Sequence, residues 1–147
     1  MRIATIVALA MSSACSSAPA APDAFLGFCD DQHPLAPTFT NMQQLFRACT
    51  TCHGAQVELS LAPAVSYGNL VNKPPPNYAN PPTNESCGVL LVVPGDPTNS
   101  YLFQKLSLPT PCAGSRMPLD DIGTPAPLAP CAQTLVHDWI QLGAQND

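Results

Sequence analysis

Cys49-Thr50-Thr51-Cys52-His53 is the stretch on which the reading of this chain turns. Two thiols three residues apart share one face of a single helical turn, and an imidazole follows at once. The residues before it support a helix. Met42, Leu45, Phe46 and Cys49 recur at spacings of three, four and seven, which predicts a helix from about Thr40 to Cys49 with Thr40 or Asn41 as its cap. Two ordinary uses of paired cysteines fit poorly. A zinc site needs a second Cys/His pair at finger-like spacing, and the chain has none. A redox-active dithiol of the thioredoxin kind needs a preceding strand, where this chain has an amphipathic helix.

The pattern does meet the demands of covalent haem attachment. Two thiols on one turn can reach the two vinyl groups of one porphyrin, and the next imidazole then points at the iron as the proximal ligand. Cys49 and Cys52 are therefore the expected attachment points for a single haem c, and His53 is the expected iron ligand. Four residues outside the leader compete for the sixth position. Met42 reads as core on the helix leading into the motif, His137 as a mid-helix residue beside Asp138, and His33 as a solvated residue before Pro34. Met117 lies far downstream in a proline-flanked loop with no helical stripe to explain it, which makes it the favoured distal ligand.

Working outward, 18 prolines in 147 residues predict short helices joined by long loops within one domain. A minor helix is expected around Ser66 to Val71. Pro74-Pro75-Pro76 and Pro81-Pro82 demand an extended loop, and Val89 to Val93 is a short strand or buried coil. Asp96-Pro97 reads as the start of a helix running to about Leu106, with Tyr101, Leu102 and Leu106 inward. A second proline-rich loop spans 107 to 128. A last helix runs from near Pro130 to near Gly143, with Leu135, Val136, Trp139, Ile140 and Leu142 on its apolar side.

Residues 1–14 carry Arg2 and an apolar run from Ile3 to Met11, too short to span a bilayer, as in an export signal. Cleavage before Cys15 would make that cysteine a lipid anchor, and cleavage after Ala20 is the alternative. Residues 15–37 then form a flexible tether and N-terminal extension, and 38–147 the domain. Seven cysteines are accounted for by Cys15 as anchor, Cys49 and Cys52 on haem, and two disulfides among Cys29, Cys87, Cys112 and Cys131. Spacing leaves three pairings open; Cys87 with Cys112 and Cys29 with Cys131 are preferred, with free buried thiols as the other possibility. A net charge of −5 with five scattered basic residues argues against nucleic acid and permits protein partners.

In these residues the chain resembles the single-haem class I c-type cytochrome domains, in a variant found in secreted bacterial proteins. The matching pieces are Cys49-Thr-Thr-Cys-His-Gly54, Tyr67-Gly-Asn-Leu-Val-Asn72, Val93-Pro-Gly-Asp-Pro97 with Ser100-Tyr-Leu102, Lys105-Leu106, Arg116-Met-Pro118, and Trp139-Ile140 before Gly143-Ala144. The resemblance implies an all-α cytochrome c fold, three main helices plus a minor one, with loops wrapped around one haem. It implies His53 and Met117 as the axial pair, and it departs from the pattern in the proline-rich insert around 73–84 and the extra cysteines. The expected function is one-electron transfer to redox partner proteins in the periplasm or at the outer membrane of a bacterium, with no catalytic residue required. The alternatives are a haem-based sensor or ligand binder, a haem subunit of a larger redox enzyme, and a haem-free, disulfide-stapled binding module.

Overall fold

The computed structural model describes residues 29–54, 57–76, 90–120 and 123–147. Five short helices cross them: α1 (Phe39–Phe46), α2 (Thr50–His53), α3 (Ser66–Leu70), α4 (Tyr101–Ser107) and α5 (Pro130–Gln141). This corrects the expected all-α cytochrome c fold of three main helices and a minor one. About 35% of the described chain is helical, and part of the core is extended backbone bridged to its neighbours. The expected signal at residues 1–14, Cys15, most of the tether, Cys87 and most of the proline-rich insert lie outside the described residues. Among the described residues, no helix is long and apolar enough to cross a membrane.

Local chemistry explains why the helices are shorter than expected. α1 starts before Thr40 because the Thr38 hydroxyl accepts from the Asn41 amide at 3.3 Å. It then tightens: Arg47, Cys49 and Thr50 donate to carbonyls three residues back before His53 returns to the four-residue pattern on Cys49. The first helix therefore ends at Phe46 rather than near Cys49, and α2 is a separate turn beyond the expected end. α4 starts at Tyr101 rather than near Asp96 because short polar side chains satisfy the backbone in a turn instead. The Asp96 carboxylate accepts from the Asn99 amide at 3.1 Å, and the Ser100 hydroxyl donates to the Asp96 carbonyl at 2.8 Å.

The segment expected as a short strand or buried coil is extended backbone that adds non-helical structure to the core. Leu90 bridges Ser100 and Val92 bridges Val71, both in parallel sense. The amides of Tyr101 and Leu102, orphans at the start of α4, donate to the carbonyls of Leu90 and Leu91 at 3.1 and 2.9 Å. This segment therefore caps α4 while Leu91 and Val92 fill the core, and it ties α4 to the end of α3.

α5 is the central element and packs against α1 and α4. Ala132, Leu135, Val136, Trp139 and Ile140 are buried, and Trp139 lies 5.6 Å from Phe39 between ring centroids. The helix closes as Gly143 and Ala144 donate back to Ile140 and Trp139, a pairing that needs the left-handed backbone Gly143 adopts at φ 99°. Leu142, expected on the apolar side, falls past the helix end and is exposed. At the other end, Cys29 is disulfide-bonded to Cys131 across 102 residues of sequence.

The tail beyond α5 turns back onto α1. The Trp139 indole donates to the Gln145 carbonyl at 2.9 Å, and the Tyr67 hydroxyl donates to that of Ala144 at 3.0 Å. Asp147 then caps α1: its carboxylate accepts from the Phe39 amide at 2.8 Å and its main-chain oxygen from the Thr40 amide at 3.1 Å. An anionic acceptor at a helix start is favoured twice, by the bond and by the helix dipole. Asp147→Ala is expected to cost about 1 kcal/mol, seen as a lower urea midpoint at unchanged slope, while Asp147→Asn keeps most of the loss away.

Candidate haem-attachment site

The attachment motif occupies the tight turn and the single turn of α2 that follow α1. Because the backbone closes i to i−3 bonds there, Cys49 is carried partly inward at the end of the buried α1 face of Met42, Leu45 and Phe46. Its thiol faces the Leu45 carbonyl oxygen at 3.9 Å. Enclosure away from water disfavours a thiolate, and burial pushes the Cys49 thiol up to about 12. A reactive dithiol is associated with the opposite shift. Gly54 closes the motif, and a methyl group in its place would collide with the Thr50 carbonyl oxygen.

His53 is fixed from two sides. Its backbone carbonyl accepts from the Leu61 amide at 2.6 Å, and its ring Nδ1 sits 3.0 Å from the Leu59 carbonyl oxygen. A carbonyl can only accept, so Nδ1 carries the proton in this bond. In that tautomer Nε2 is left as the ring nitrogen that could ligate a metal. The loop that supplies Leu59 is itself pinned, since the Asn69 side chain donates to the Ser60 carbonyl at 2.9 Å from α3. α3 also receives the side chain of Gln43 on Ser66, joining it to α1.

The other ligand candidates are placed as follows. Met42 is fully buried in the core. His33 is exposed, with its ring 3.0 Å from the Asp30 carboxylate, and His137 lies half exposed, 2.8 Å from the Asp138 carboxylate and edge-on to Phe103. Met117 is partly buried against the core, on a segment of its own. Its amide donates to the Lys105 carbonyl at 2.8 Å, and beyond it Leu119 and Pro125 form an antiparallel bridge with Ala126 bonded to Pro118.

Sequence reasoning missed the side chains that hold this segment. Lys105 of α4 is buried, and its ammonium donates to the carbonyls of Ala113 and Ser115, the first at 3.2 Å. Burial holds the Lys105 ammonium below the ordinary lysine range. The Tyr101 hydroxyl donates to the same Ala113 carbonyl at 2.7 Å, and Arg116 Nη2 donates to Leu106 at 3.4 Å. The available signal was a lysine on the apolar face of a predicted helix, four residues after Tyr101.

Two observations test whether these residues suit a haem. The anchored His53 ring suits iron ligation, and Arg116 Nε, beside Met117, is a buried donor with no partner within the described protein. Against immediate attachment, Cys52 is disulfide-bonded, as are Cys112, Cys29 and Cys131. The donor set therefore fits on one condition, that Cys52 is first reduced to a thiol. Among the described residues, no group of three or more His, Cys, Asp and Glu side chains is arranged to hold a metal ion. No protein-family model, curated protein or solved structure matches the chain.

Proposed function

We propose that this chain is an exported carrier of one covalently attached haem, held by Cys49 and Cys52 and ligated by His53 and Met117, and that it passes single electrons to protein partners. The observation that carries the reading is the His53 ring, whose Nδ1–H is committed to the Leu59 carbonyl directly after the paired cysteines. That commitment orients Nε2 and raises its basicity as a ligand. Bound haem supplies the one-electron couple of its iron. The chain's own residues set its properties: Met117 brings a soft thioether that favours the ferrous state, and the apolar α1 face beside Cys49 disfavours added charge. Thioether bonds keep the group from being lost outside the cytoplasm.

Pyridine haemochrome spectroscopy and intact mass on protein exported from a cell that assembles c-type cytochromes test this. The expected result is a c-type spectrum and the mass of one haem on the mature chain. A mature chain carrying only disulfides would overturn it. That outcome would favour a second reading, a haem-free, disulfide-stapled binding module, which the disulfide at Cys52 supports.

A further inference from the structure

We propose that Lys105 is the positioning residue for the distal ligand: from α4 it holds the segment 113–117 and so sets how firmly Met117 is presented. The inference rests on the haem reading above and on Met117 as the sixth ligand. α4 grips that segment at four points, three of them on carbonyl oxygens. The Lys105 ammonium donates to Ala113 and Ser115, the Tyr101 hydroxyl donates to Ala113, and the Lys105 carbonyl accepts the Met117 amide. Lys105 therefore holds the segment at both ends, with its side chain at 113 and 115 and its backbone at 117.

The local chain could not hold itself. Gly114 sits at φ 62°, and no regular ladder pairs the backbone of 112–116. A methyl group at Gly114 would come within 3.0 Å of the Lys105 nitrogen, so backbone and ammonium are closely fitted. A thioether is a weak ligand whose retention depends on how little freedom its loop has to leave. Two charge-assisted bonds from a residue anchored in the core supply that restraint. The Lys105 ammonium also lies 5.7 Å from the Tyr101 ring centroid, a second attraction that keeps it in place.

The test compares wild type, Lys105→Met, Lys105→Arg and a core control, Val136→Ala, which removes buried volume from α5 and leaves the Lys105 hydrogen bonds in place. In the haem-loaded oxidised protein, Lys105→Met is expected to weaken or lose the sulfur-to-iron charge-transfer band. Added imidazole should then bind roughly tenfold more tightly or better, the equivalent of one lost charge-assisted bond. In the haem-free chain, amide exchange across 112–117 should quicken by a similar factor. Lys105→Arg should restore part of each effect, and Val136→Ala should leave the band and the imidazole affinity at wild-type values. The proposal is overturned if Lys105→Met keeps the wild-type band, imidazole affinity and exchange, or if Val136→Ala reproduces its spectral change. If wild type itself lacks the band and Met117→Ala changes nothing, the ligand assignment falls and the positioning role falls with it. A haem-loaded wild type with the band but an unaffected Lys105→Met removes this inference alone.

Discussion

Replacing His53 with alanine is expected to leave the chain, produced in a cell that assembles c-type cytochromes, without stably held haem. The substitution removes the proposed proximal ligand, together with the bond that ties the ring to the Leu59 carbonyl. The loop from 54 to 60 keeps its other chord, Leu61 to the His53 backbone, so the fold itself should survive. Haem content by pyridine haemochrome should fall at least tenfold relative to wild type, with far-ultraviolet circular dichroism close to unchanged. His137→Ala is the informative contrast. That ring is half exposed and bound to Asp138 at the surface, so its loss should leave haem content as it was. Met117→Ala separates the two axial roles: covalent haem should be retained and the sulfur-to-iron charge-transfer band lost. Full haem loading of the His53 variant with wild-type spectra would remove the axial assignment.

The second large effect belongs to the Cys29–Cys131 bond. It closes a span of 102 residues, and constraining a loop of that length in the unfolded chain is worth about 3 to 5 kcal/mol. Other disulfides shorten the effective loop and pull the value toward the lower end. For a domain whose total stability is of the order of 5–15 kcal/mol, this is a large share. Cys29→Ser is therefore expected to lower the melting temperature by roughly 10 °C. The effect reaches the attachment motif only indirectly, because Cys131 opens α5, α5 buries Trp139, and Trp139 packs on Phe39 at the start of α1. A melting temperature within a degree or two of wild type would show that the bond constrains little.

Part of the local structure was legible in the sequence. Cys49, Cys52 and His53 owe their relation to spacing alone, and any helical turn places them together. The apolar stripe of Leu135, Val136, Trp139 and Ile140 also named a buried face correctly, since amphipathic periodicity is a local property. Met42 was likewise assigned to the core by its register on α1.

Other features depend on partners distant in sequence, and local pattern carries no record of them. The early end of α1 at Phe46, and the late start of α4, follow from competition among local hydrogen-bond acceptors that propensity does not resolve. The buried segment at Leu91 and Val92 was expected, but its register was not: the Leu90 and Leu91 carbonyls accept the first amides of α4. The tautomer of His53 was set by one carbonyl six residues on, at Leu59, and the cap of α1 by Asp147, 108 residues from Phe39. Sequence alone therefore determined that Cys49, Cys52 and His53 lie together at the end of an amphipathic helix, because spacing and residue type are local. Only the tertiary structure decided which way His53 faces and that Lys105 grips the Met117 segment, because each rests on a hydrogen bond whose acceptor only folding brings into reach.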